Sequence, residues 1–183
     1  MDPNWWRAAI AVGFVGSQAL LIYFNYETQA VARKVESFRL ARELSTEFYF
    51  REPLYKDVRN AIEACSPLYR SWGGTFSHDD MNKYLGFFED LGYFQKYGFL
   101  DNDLINHFYG AYLVEAYAHP HVQRYIEKLR TSAKQPAAFD QFERLAKELN
   151  KDALYTELVN ASAKACSGVV VPDMREVKQQ GSN

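Results

Sequence analysis

Several things are scarce in this 183-residue chain, and each scarcity removes a class of function. It has two cysteines, Cys65 and Cys166, and neither belongs to a CxxC pair or a metal-ligand cluster, so zinc modules and dithiol redox motifs are excluded on pattern. Charge of one sign is lacking as well. A net charge of −2 leaves no strongly basic face for a general polyanion binder, and nucleic acid is not an expected partner. No Gly-rich phosphate loop, GxGxxG turn or GxSxG elbow is present, so no cofactor is implied and no catalytic motif can be assembled. After residue 24 every apolar run is interrupted by charge. No stretch shows the alternation of a half-buried strand bounded by turn residues.

Aromatic bulk is abundant, with 13 Tyr and 13 Phe, enough apolar mass for one core. The segment Ala8 to Phe24 carries no charge, with Trp5 and Trp6 at one end and Tyr23 and Tyr26 at the other. At about 1.5 Å per residue, Trp5 to Tyr26 spans roughly 30 Å, one hydrocarbon thickness, and aromatic rings favour both interfaces. The expectation is a single membrane-spanning helix, residues 1–26 forming the anchor. A cleaved signal peptide with Ala30-Val31-Ala32 as its processing site, and a buried core helix, stay open as alternatives. Arg33, Lys34, Arg39 and Arg42 follow the segment and only Arg7 precedes it, which by the positive-inside rule places the C-terminal domain in the cytoplasm. Ala9, Gly13 and Ser17 recur every four residues on one helix face, bordered by Gln18. Such a face fits close helix packing in the membrane, against a protein partner or a second copy.

The remainder reads as helices, giving an all-α fold: an N-terminal transmembrane helix continuing into a soluble helical bundle over 27–167, with a flexible tail over 168–183. Val31, Val35 and Phe38 form one stripe of the continuing helix, and Leu40, Leu44 and Phe48 another. Glu52-Pro53 interrupts it, and Pro53 opens the next helix, whose buried face is expected at Leu54, Val58, Ala61 and Cys65. Ser77 and Asp80 form an acidic capping box, with Phe76 and Met81 as its hydrophobic staple. That helix should stop at Gly98, and Asp101 should cap another from Asn102 to about Ala118. Val122, Tyr125, Ile126 and Leu129, then Phe142, Leu145, Ala146 and Leu149, repeat the apolar spacing of a half-buried helix. A last helix is expected over Asp152 to Ala165.

Candidate chemistry is thin. Glu115 and His119 are four apart on one helix with His121 close by, the weak outline of a metal site; surface histidines at a turn are the plainer reading. Cys65 is expected as a buried inert thiol, and a Cys65–Cys166 bond would require an oxidising compartment. Asp101-Asn102-Asp103 fails as a calcium loop because Ile105 and Asn106 occupy the fifth and sixth positions. Residues 81–110 have the outline of a helix-turn-helix, but Asn102 to Gly110 offers no Lys or Arg to a groove. The stripe Tyr84, Phe87, Phe88, Phe94, Tyr97 and Phe99 could line a ligand pocket, although aromatics at this spacing more often build a core.

The region KYLGFFEDLGYFQKYGFLDNDLINHFYGAYLVEAY resembles a bacterial family known only as a domain of unknown function. Its matching residues are Phe88, Glu89, Gly92, Gly98, Leu100, Asp101, Asp103, Leu104, Ile105, Phe108 and Gly110. The resemblance implies one N-terminal membrane helix and a helical domain, and it carries no catalytic residues. The expected function is a non-enzymatic, membrane-tethered interaction or scaffold module, an accessory subunit of a larger membrane complex in the bacterial inner membrane. The alternative is a helical domain that senses a ligand or metal.

Overall fold

The computed structural model describes residues 5–131 and 133–168, with side chains of the first helix from Gln18 onward, except Ala19, Leu20 and Ile22. The described residues form helices joined by turns and irregular segments, with one isolated bridge between Tyr69 and Phe76. Helix α1 runs Trp5–Thr46 and passes into a wider π turn at Glu47–Arg51. Then follow α2 (Pro53–Glu63), α3 (His78–Lys96), α4 (Asn102–Ala118), α5 (Pro120–Thr131), α6 (Asp140–Leu149) and α7 (Ala153–Ala165). The chain divides into two units, Met1–Leu40 and Ala41–Asn183. The tail expected over 168–183 lies, beyond Gly168, outside the described residues.

In the first unit α1 is unbroken, and Leu21, Phe24, Tyr26, Val31, Val35 and Phe38 are all more than half exposed. Among the described residues no helix is long and apolar enough to cross a membrane. Most side chains of Ala8 to Phe24, on which the spanning expectation rests, fall outside that set. The same holds for Ala9, Gly13 and Ser17, whose backbone is helical; the Gln18 side chain is exposed.

The second unit is built around α3, α4 and α6, with α7 packed on α4, and α2 against the π turn and α4. Its centre is aromatic. Phe48, Tyr84, Phe88, Tyr109 and Phe142 are all buried, each contributing on the order of 2 kcal/mol by removal from water. Local signals fix the helix ends. Ser77 and Asp80 close the capping box that starts α3, and both Phe76 and Met81 are buried. Gly98, at φ +75°, ends α3 in the left-handed conformation glycine tolerates. Asp101 caps α4 by accepting from the Leu104 amide at 2.9 Å.

One buried face differs from expectation. Helix α2 buries Tyr55, Val58, Arg59 and Ile62; of the expected face Val58 is buried, while Leu54, Ala61 and Cys65 are half-buried. Arg59 belongs to the buried face because its charge is accommodated among aromatic rings.

Candidate functional site

The π turn that ends α1 leaves an unusual vacancy in the backbone. The Glu52 amide bonds back to the Glu47 carbonyl at 3.2 Å, and Pro53 has no amide to offer. The Phe48 carbonyl is therefore without a helical donor, and the Arg59 Nη1 donates to it at 2.6 Å. The guanidinium carbon lies 4.5 Å from the centre of the Phe48 ring, 5.2 Å from Tyr49 and 5.4 Å from Tyr112. Arg59 is 8% exposed. Its cation is held by ring faces and a carbonyl, an arrangement that fixes α2 on the end of α1.

The two histidines named from sequence are buried, which corrects the surface reading. His119 is 1% exposed and His121 fully enclosed, with ring centres 5.9 Å apart. His119-Pro120 does turn the chain, and the turn is folded inward. The His121 amide donates to His119 Nδ1 at 3.3 Å, and the Leu68 amide donates to His121 Nδ1 at 3.1 Å. Burial, then the neighbouring His121, lowers the His119 pKa to about 4. One ring nitrogen of each histidine is thus spent on backbone amides, holding the loop before α3 to the start of α5. Among the described residues no group of three or more His, Cys, Asp or Glu side chains is placed to hold a metal ion.

Glu115, the third residue of that outline, lines a different space. A cavity of about 270 Å³ is bounded by Ile62, Glu63, Cys65, Glu115, Ala161 and Cys166, among others. Burial, then the Glu63 carboxylate, raises the Glu115 pKa. On its wall the two cysteines form a disulfide, with Cα atoms 5.0 Å apart across a sequence separation of 101. Cys65 is therefore a bonded cysteine, not an inert thiol. It occupies the position just past α2, at φ +49°, where its amide bonds to the Ile62 carbonyl and the Ser66 amide to the Ala61 carbonyl. This is the helix-ending motif that usually carries glycine. The aromatic stripe is split: Tyr84, Phe87 and Phe88 are buried in the core, while Tyr97 and Phe99 are exposed.

The residues of the family phrase have structural tasks. The N-cap of α6 is Phe139, which has no capping oxygen, and Glu89 of α3 supplies one from across the interface. Its Oε2 accepts from the Gln141 and Phe142 amides, each at 2.9 Å. One turn later Gly92 lets the helices touch: a Cβ there would stand 2.5 Å from the Gln141 Cβ. Gly110 does the same on α4, where a Cβ would be 2.3 Å from the Tyr155 hydroxyl. Sequence reading found these residues as a motif and missed the contacts, because each partner lies about 50 residues away.

A family model described as a domain of unknown function, DUF4760, matches residues 10–149. The chain belongs to the DUF4760 family. No curated protein and no solved structure matches it. The DUF4760 match ends at the last residue of α6, so α7 and Cys166 lie beyond it.

Proposed function

We propose that this DUF4760 protein is a membrane-tethered helical interaction module, an accessory subunit of a larger membrane complex, held by α1 with its C-terminal domain in the cytoplasm. The observation that carries the reading is the uncharged Ala8–Phe24 segment between aromatic flanks, followed on the same helix by apolar side chains exposed at Val31, Val35 and Phe38. The family phrase supports it further, since its residues are engaged in helix capping and close packing. Ala9, Gly13 and Ser17 form the face for association within the bilayer, with Gln18 beside it.

The test is purification of the full chain from its native membrane in mild detergent. A membrane fraction that keeps the protein through carbonate washing, an intact N-terminus by mass spectrometry and a stoichiometric protein partner are the expected results. A mature chain beginning near Arg33 would overturn the anchor. Gly13→Leu should weaken association in a membrane reporter of helix pairing, and Leu21→Ile should not; equal signals would remove the packing face. The second reading, a ligand- or metal-sensing domain, draws on the cavity beside Glu115. A co-purifying small molecule or metal in place of a protein partner would favour it.

A further inference from the structure

Helix α7 stands apart from the helices it joins. It buries no residue completely, whereas α3, α4 and α6 each bury four or more. Its packing is chiefly on α4. Two attachments hold it there. Near its start Tyr155 sits over Gly110 and donates to the Asn106 carbonyl at 3.3 Å. At its end Cys166 is bonded to Cys65. The α3–α6 interface, with Glu89 on the α6 amides and the Phe88 ring stacked on Phe142 at 5.5 Å, closes without any part of α7. Both cysteines line the cavity beside Glu115; as residues, Cys166 is 3% exposed and Cys65 is half-buried.

We propose that Cys65–Cys166 is a reversible thiol–disulfide site, acted on by a dithiol reductant, whose closure clamps α7 onto α4 and whose opening releases it. The thiolate of the reductant enters by the cavity that both cysteines line and attacks Cys65 Sγ, on the less buried of the two residues. The Sγ–Sγ bond breaks, its electron pair leaves on Cys166 Sγ, and that thiolate takes up a proton. The second thiol of the reductant then displaces Cys65, so that two protein thiols and one oxidised reductant result. A dithiol's disulfide form reverses the sequence. The in-cell role of the switch rests on the cytoplasmic orientation proposed above: a lasting Cys65–Cys166 bond requires an oxidising compartment, whereas in a reducing one the same bond forms and opens in turn. What opening exposes is the α4 surface around Asn106 and Gly110.

The test is hydrogen exchange, read by mass spectrometry, on the full chain in detergent before and after dithiothreitol, with Cys166→Ser as the locked-open variant. The proposal expects exchange in 153–165 to rise at least tenfold on reduction, with 78–96 and 140–149 unchanged. Unchanged exchange in 153–165 overturns it, as does a bond that dithiothreitol cannot reduce in the folded protein. An equal rise through α3 and α6 overturns it too, since the bond would then staple the whole domain. If Cys166→Ser does not fold, the reduced wild-type chain decides alone. Orientation is measured separately, by labelling cysteines placed before Trp5 and within α5. A fixed α7 in the cytoplasm and a releasable α7 outside it therefore give different results.

Discussion

Arg59 meets Phe48 twice, through a 2.6 Å hydrogen bond to its carbonyl and through its guanidinium 4.5 Å above its ring. The two contacts compensate each other's costs. The carbonyl has no other donor within its own helix, and the buried cation gains a ring face where, among the described residues, no carboxylate is bonded to it. Removing either group exposes the other.

Arg59→Ala should therefore lower unfolding free energy by about 3 kcal/mol, the sum of a lost cation–π contact and a buried carbonyl left unpaired. Arg59→Lys should lie between the variant and the wild type, because an ammonium can reach the carbonyl but cannot lie flat on three rings. Urea titration of the three proteins checks the order.

Where α3 and α6 touch, Gly92→Ala should cost about 1–3 kcal/mol, because the added methyl meets the Gln141 Cβ and the helices must part. Glu89→Ala should cost about 1 kcal/mol by leaving the Gln141 and Phe142 amides without their acceptor. The double variant should fall short of the sum, since parting the helices already lengthens the Glu89 bonds. A strictly additive double-mutant cycle would count against this account.

His119 gives the domain a pH dependence with a definite sign. Its pKa falls from 6.5 to about 4 on folding, so between those values the unfolded chain binds the extra proton. Stability contributed by keeping His119 neutral is complete above about pH 6.5 and is lost as pH falls to about 4, a change on the order of 3 kcal/mol. Glu115, Glu89 and Asp90 have raised values and act in the opposite direction as they protonate. The comparison is thus between wild type and His119→Asn, which keeps an acceptor for the His121 amide. Denaturation midpoints at pH 7 and pH 4.5 should differ less in the variant.

At the start of α3, Ser77→Ala should cost about 1 kcal/mol, because Ser77 Oγ accepts from the Asp80 amide and donates to the Asp80 carboxylate. Thermal unfolding followed by circular dichroism measures it.

Local grammar explains how far the fold could be read. Capping at Ser77 and Asp101, the stop at Gly98 and the prolines at 53 and 120 act within four residues of themselves, and the helices begin and end where they indicate. The apolar faces of α5 and α6 follow from spacing alone. What spacing could not show were contacts made across the fold. Arg59 looks like a solvated charge until Phe48, Tyr49 and Tyr112 surround it. His119 and His121 look like turn residues until the amides of His121 and Leu68 claim them. Cys65 and Cys166, 101 positions apart, are joined only because α7 returns along α4.

Glu89, Gly92, Gly98, Asp101 and Gly110 are all joinery: they cap, stop or seat one helix against another. Between them on the surface stand Tyr97 and Phe99, 67% and 58% exposed, which no joint requires. A chain can keep every joint and present a different face there, so the phrase that makes this family recognisable works as a chassis.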